Sequence, residues 1–179
     1  SDGTWSPGQT IARRDRGGLG VVDLAVHRRG AALVAWQWQH GLRTTGFVSR
    51  GHVGDTWTPG LRVPHAASLQ VAIGDGGLAA AMVQRAVVDP STSSADLTWA
   101  VARQYRGRPW SSLRTLQRLT DAGPPWPGPG DVHVDAAGRT TAAWDHRGSD
   151  GRWRIVAARA VQGEPWQQPK VLARRVGWG

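Results

Sequence analysis

The chain has 179 residues and a mass of 19.2 kDa, with 40% hydrophobic and 20% charged residues. That balance is typical of a globular protein with one sizeable core, and it argues against disorder. The absence of cysteine excludes disulfides, thiolate zinc sites and cysteine nucleophiles. No apolar run approaches the roughly 20 residues that cross a bilayer, so the sequence predicts no membrane span.

The formal net charge is +9, and it is almost entirely arginine against aspartate: 21 of the 22 basic residues are arginine and 12 of the 13 acidic ones are aspartate. With abundant alanine, glycine and valine, this usage is typical of a GC-rich bacterium. A positive field attracts anionic partners such as nucleic acid. The arginines are scattered, however, and not gathered with aromatic residues as a base-stacking platform requires, so we expect no nucleic-acid partner.

A tight turn, a tryptophan and a strand-like run recur in this order along the chain. The four segments are DGTWSPG at Trp5, GDTWTPG at Trp57, GRPWSSL at Trp110 and GEPWQQP at Trp166. Such self-similarity is the signature of a repeat protein whose units bury apolar faces against one another. The first segment has no partner strands ahead of it. Residues 1–19 are therefore expected to form the outer strand of a preceding blade, near 4–13, and a linker.

Three full units follow at 20–65, 66–120 and 121–179, and the third opens with a proline-rich loop at 121–130. Each unit has a turn glycine and, six residues later, a large residue. The turn glycines are Gly30, Gly76 and Gly138, and the large residues are Trp36, Met82 and Trp144. An arginine stands seven residues before each later turn tryptophan, at Arg50, Arg103 and Arg159.

Alternating apolar runs around these positions predict four short strands per unit, joined by hairpins, and no segment has a helical period. The expected strands lie near 22–29, 31–38, 43–50 and 57–63, then 68–73, 78–84, 96–104 and 110–117, then 131–136, 140–146, 153–160 and 166–173. The fold class is thus all-β, a propeller segment of about three four-stranded blades plus an extra N-terminal strand. Propellers use four to eight blades, so we expect contact with further blades or with a second copy.

The turns resemble those of sialidase-type propellers, whose Asp-box repeat reads S-x-D-x-G-x-T-W between the third and outer strands. Gly54, Thr56 and Trp57 match its closing part, and two later pairs match less fully, Gly107 with Trp110 and Gly163 with Trp166. The position of the family's aspartate is taken by His52, Tyr105 and Val161. The resemblance covers the repeat skeleton, in which the box is structural.

Sialidases pair a tyrosine nucleophile with a glutamate and hold the substrate carboxylate with three arginines. This chain has one tyrosine, Tyr105, and one glutamate, Glu164, and both lie in or beside turns that face away from the propeller axis in that family. We therefore expect no catalysis within the chain. The alternative that the resemblance implies is a sialidase-like glycoside hydrolase whose catalytic residues lie outside these residues.

Six side chains are candidate ligand contacts. His133 and Asp135 lie two apart on the first strand of unit three, and Asp145 and His146 end the next strand. They offer imidazole and carboxylate to a sugar, but a third converging ligand is lacking, so we expect a solvated channel wall, no metal and no cofactor. Trp126, in the PPWPGP loop, and Trp38 offer indoles for a sugar ring or a protein partner, or fold back over a blade edge.

The sequence therefore predicts a non-catalytic binding or assembly module, for carbohydrate or protein, in an extracellular or cell-surface setting. The first alternative is part of a sialidase-like hydrolase. The second is a polyanion or nucleic-acid binder that uses surface arginines.

Overall fold

The computed structural model describes residues 10–13, 16–52, 57–124, 127–148 and 150–175. Strands and turns account for its regular structure, and these residues contain no helix, so the all-β expectation is confirmed. Within the same ranges no helix is long and apolar enough to cross a membrane. The strands form three four-stranded antiparallel sheets, which we call blades 1, 2 and 3.

The strands of each blade pair in chain order, as a run of hairpins requires. Blade 1 consists of β1 Gly18–Val26, β2 Ala31–His40, β3 Arg43–His52 and β4 Thr58–Pro64. Blade 2 consists of β5 Ala66–Ile73, β6 Ala79–Asp89, β7 Ser94–Gln104 and β8 Arg114–Ala122. Blade 3 consists of β9 Asp131–Val134, β10 Thr140–Arg147, β11 Trp153–Ala160 and β12 Lys170–Arg175.

The outer strands of blades 2 and 3 begin later than predicted, four residues after Trp110 and Trp166. In both ladders an extra residue lies on the outer strand where the register shifts, Leu116 in blade 2 and Leu172 in blade 3. The extra N-terminal strand expected near 4–13 falls mostly on residues 1–9. Those residues, with Trp5, lie outside the described part, and residues 10–13 belong to no sheet.

The turn between the first two strands of each blade contains a glycine with positive φ. These glycines are Gly30, Gly77 and Gly138, with φ of 83°, 76° and 74°. Each donates its N–H to the carbonyl three residues earlier, at 2.8–3.0 Å. The prediction of Gly76 for the second turn is therefore wrong by one residue, because the left-handed conformation that favours glycine falls on Gly77.

This one-residue correction changes which side chains are equivalent. Strand side chains alternate between faces, so a shift of one residue exchanges the two faces. Counted from Gly77, the equivalent of Trp36 and Trp144 is Val83, not Met82. Val83 packs with blade 1 and Met82 with blade 3.

Two apolar clusters join the blades. One unites blades 1 and 2 and includes Leu33, Val48, Leu69 and Val83. The other unites blades 2 and 3 and includes Met82, Trp99, Val101, Trp144 and Val156. Blade 2 is therefore buried on both faces. The first strands of the three blades adjoin, β5 contacting both β1 and β9, as in a propeller segment whose ring is not closed.

The turn tryptophans pack toward the preceding blade. Trp166 is buried in the cluster between blades 2 and 3, and Trp110 packs on the cluster between blades 1 and 2. Gly60 of blade 1 makes room for Trp110, because a Cβ there would lie 2.9 Å from the indole nitrogen. Trp57 is half-buried on the outer side of blade 1, beside Ile11.

We predict that Trp166→Ala lowers the free energy of unfolding by about 3–5 kcal/mol, as other large core truncations do. Trp57→Ala should cost no more than about 2 kcal/mol, because none of the described blades covers Trp57. Urea melts of both variants provide the comparison. Equal losses at the two positions would contradict the assignment of Trp166 to a blade interface.

Candidate functional site

The arginine that ends the third strand of a blade reaches across to the next blade. Arg50 Nη2 donates to the Gly77 carbonyl at 3.0 Å. Arg103 donates from Nη1 to the Val161 carbonyl at 2.9 Å and from Nη2 to the Glu164 carbonyl at 2.8 Å. Charge-assisted bonds of this kind are among the stronger hydrogen bonds in proteins. The arginine column is thus a set of contacts between blades.

The same arginines position the turn tryptophans. The carbonyls of Arg103 and Arg159 accept the N–H of the residue after the tryptophan, Ser111 and Gln167 respectively, at 2.8 Å. The guanidinium carbon of Arg103 also lies 5.7 Å from the centre of the Trp166 ring, within cation–π range. The backbone bond fixes the position of the tryptophan relative to its own third strand, and the arginine side chain contacts the tryptophan of the next blade.

A second polar column lies seven residues after the turn glycine. Gln37 Nε2 donates to the Ala66 carbonyl in blade 2 at 3.0 Å. Gln84 Nε2 donates to the Pro127 carbonyl, which precedes β9, at 3.1 Å. Both glutamine side chains are buried between blades, and both donate to the backbone that enters the first strand of the next blade. The sequence reading missed this column, because its third member is not glutamine.

Blade 3 carries the third member of each column, and among the described residues no blade packs on that side of it. Arg159 is exposed, and its guanidinium has no acceptor among the described residues. Asp145 stands where the other blades have glutamine, and its Oδ1 is buried without a hydrogen-bond partner in the described part of the chain. A carboxylate accepts where an amide nitrogen donates, so a surface that satisfies Asp145 has to supply a donor.

Apolar side chains surround these polar groups. Ile155 and Leu172 are 49% and 66% exposed. A cavity of about 630 Å³ lies beside Asp145 and Ile155 and is also lined by Trp153 and Arg174. A second cavity of about 260 Å³ is lined by Arg159 and Leu172. We call this surface, formed by Asp145, Ile155, Arg159 and Leu172, the open face of blade 3.

The four polar candidates from the sequence do not converge. His133 is exposed on β9, paired with Thr141, on the same side of the sheet as Asp145. His146 points the other way, since it follows Asp145 on one strand. Among the described residues, no three histidine, aspartate or glutamate side chains are placed to hold a metal ion.

Asp135 is a turn residue. Its Oδ1 accepts the N–H groups of Ala137 and Arg139 at 3.0 and 2.9 Å, and its Oδ2 lies 2.6 Å from Arg139 Nε. The backbone hydrogen bond from Arg139, and then the Arg139 side chain, hold the pKa of the Asp135 carboxyl below its usual value. These contacts indicate that the Asp135 carboxylate closes the β9–β10 turn.

The two tryptophan candidates are Trp126 and Trp38. Trp126 lies outside the described residues. Trp38 is half-buried; its indole N–H donates to the Arg16 carbonyl at 2.7 Å, and its ring stacks on His40 with centroids 5.6 Å apart. The Trp38 indole is therefore already in contact with another residue of blade 1 and with the segment that precedes β1.

The lone tyrosine and glutamate occupy the connections between third and outer strands, as predicted. The Tyr105 hydroxyl accepts the Gly163 N–H at 2.9 Å, and the Tyr105 ring packs on the cluster between blades 2 and 3. Glu164 is exposed, and its backbone carbonyl accepts a hydrogen bond from Arg103. Tyr105 is thus part of a contact between blades.

No protein-family model and no curated protein matches the sequence. Among solved structures, the chain is similar to the Hadza microbial sialidase Hz136, with a TM-score of 0.54 and 15% identity. The fold is sialidase-like. The match covers 87% of this chain and 38% of that sialidase, so the chain spans well under half the length of that protein, and at 15% identity the similarity concerns the fold alone.

We predict that Arg103→Ala lowers the free energy of unfolding by about 2 kcal/mol, because two charged hydrogen bonds to carbonyls are lost. Arg159→Ala is the matched control at the same repeat position, and it should change the free energy by less than about 0.5 kcal/mol in the monomer. Urea melts at low protein concentration measure both. Equal effects would show that the arginine column does not join blades.

Proposed function

We propose that the chain is a non-catalytic assembly module in which the open face of blade 3 docks a further four-stranded blade. One observation carries this proposal: Arg159 repeats the position of Arg50 and Arg103, which both donate to the following blade, yet it has no acceptor among the described residues. The half-exposed Ile155 and the exposed Leu172 add apolar area that a neighbouring blade would remove from water.

For the isolated chain, the proposed occupant is blade 1 of a second copy. The side of β1 that faces away from blade 2 exposes Leu24 and Val26, each 59% accessible. Trp36 and Phe47 stack beside them on the same side, with centroids 5.6 Å apart. By equivalence with the bond from Arg50 to Gly77, Arg159 of one copy would donate to the Gly30 carbonyl of the other. Two three-blade arcs joined at both ends make six blades, within the range of closed propellers.

The placement of Tyr105 and Glu164 supports a non-catalytic role. Glycosidase chemistry needs two groups that flank one bond of the substrate. The Tyr105 hydroxyl is already engaged by a backbone N–H, and Glu164 is an exposed turn residue. The turn tryptophans lie between third and outer strands, where the Asp box lies in sialidase-type propellers, and this supports relating the repeats to that family.

We predict self-association of the chain at micromolar concentration, with a compact dimer in sedimentation-velocity experiments. Two variants should shift the equilibrium to monomer: Ile155→Asp on the open face of blade 3 and Leu24→Asp on the outer side of blade 1. Each would bury a charge without a partner in the dimer. Leu42→Asp is the control, since Leu42 is 93% exposed in the β2–β3 turn. A compact, stable monomer of the unaltered chain would contradict the proposal.

We also predict that the chain does not hydrolyse an aryl sialoside. The measurement is release of the chromophore over hours at high protein concentration. Turnover that Glu164→Gln abolishes would show a catalytic site and reverse this part of the proposal.

A further inference from the structure

A cleft of about 530 Å³ separates blades 1 and 2 at one edge of the arc. Its walls are the β1–β2 and β5–β6 turns, the end of β3, the start of β4 and the connection that follows β7. Its volume lies within the range of ordinary small-ligand sites. The cleft is internal to the arc, so it exists whether or not the open faces are covered.

Three arginines line the cleft, Arg29, Arg50 and Arg106. His27 and His52 also border it.

Among the described lining residues the one carboxylate is Asp75, and it is already engaged. His27 Nε2 lies 2.8 Å from its Oδ1, and Arg28 Nε lies 3.3 Å from the same oxygen. The hydrogen bond from His27, and then the charge of Arg28, hold the pKa of Asp75 below its usual value. Asp75 also interacts electrostatically with Arg29, so it offsets part of the positive charge. Counting Arg28, the described residues here carry four arginines against this one carboxylate.

Among the described residues, the arginines of the cleft outnumber the carboxylates. Arg50 bonds to two neutral acceptors, the Gly77 carbonyl and, at 3.5 Å, Gln104 Oε1. Arg29 and Arg106 are exposed, and neither forms a salt bridge in the described part of the chain; Arg29 interacts with Asp75 only at longer range.

Arg50 and Arg106 both lie beside Gly77. A Cβ built on Gly77 would lie 3.6 Å from Arg50 Nη2 and 3.7 Å from Arg106 Cβ. Burial, and after it repulsion from Arg106, lower the pKa of Arg50 from its ordinary value. An anion bound beside both side chains would relieve this repulsion.

The extra cations are specific to this cleft. Blade 2 has Gly76 where blade 1 has Arg29, counted from the turn glycines, and blade 3 has Gln162 where blade 2 has Arg106, counted from the repeat arginines. The interface between blades 2 and 3 thus keeps only the arginine that joins blades. Arg29 and Arg106 are not required by the repeat.

We propose that this cleft binds a tetrahedral oxyanion, a phosphate or sulfate group, through Arg29, Arg50 and Arg106. Guanidinium groups match such oxyanions with paired N–H donors. The cleft is larger than one ion, so the group is carried on a larger molecule such as a sugar. The three arginines recognise the anionic group, and the rest of the cleft accommodates its carrier.

The test is titration of the whole chain at low ionic strength, followed by calorimetry or amide NMR shifts. The probes are inorganic phosphate, inorganic sulfate, glucose 6-phosphate and neutral glucose. We expect saturable 1:1 binding of the anions, tightest for glucose 6-phosphate, none for glucose, and weakening with added salt. Equal affinity for glucose 6-phosphate and inorganic phosphate would assign the site to the free ion.

Arg29→Ala and Arg106→Ala should each weaken phosphate binding about tenfold, the effect of one charged hydrogen bond. Arg106→Lys keeps the charge but loses the paired donors, so it should fall between. Arg43→Ala removes the same charge from an exposed site at the opposite edge and should leave affinity unchanged. Circular dichroism of each variant confirms folding. Absence of saturable anion binding, or equal weakening by Arg43→Ala and Arg106→Ala, would overturn the proposal.

Discussion

Coverage of both faces of each sheet is the constraint on which this structure depends. A four-stranded sheet has two faces, and among the described residues only blade 2 has a blade packed on each face. Its second strand shows the result, since Ala79, Ala81 and Val83 pack with blade 1 while Ala80 and Met82 pack with blade 3. Blades 1 and 3 each have a described blade on one face only, and their outer sides retain exposed leucine, valine and isoleucine, although Ile11 and Ala12 line a pocket on the outer side of blade 1.

Apolar contact alone does not fix how two blades align, because it is not directional. The polar columns supply direction. Arginine and glutamine donate mainly to backbone carbonyls, so these hydrogen bonds tolerate changes in the sequence of the next blade. Interfaces built this way can recur although the repeats share few identical residues. The contacts of Arg50 and Arg103 illustrate this, since their acceptors are the carbonyls of Gly77, Val161 and Glu164.

The visible repeat columns were enough to predict three four-stranded sheets, because glycine, arginine and tryptophan mark turns and contacts that recur at each blade. They were not enough to fix the register. Gly76 and Gly77 are adjacent, and only the backbone conformation shows which one is the turn residue. The glutamine column was hidden since its third member is aspartate. The cationic cleft was hidden because its arginines come from separate connections that only the fold brings together.

The exchange of glutamine for aspartate at Asp145 makes the open face of blade 3 different from the interfaces within the chain. Gln37 and Gln84 need a carbonyl from the next blade, whereas Asp145 needs a donor. In blade 1, the backbone equivalent to the acceptor of Gln84 is at Leu19, and β1 has a bulge between Leu19 and Val22. A bulge leaves backbone groups, N–H included, without ladder partners. β1 is also an edge strand of its sheet, so in the proposed dimer a backbone N–H of this segment would be the donor that Asp145 requires.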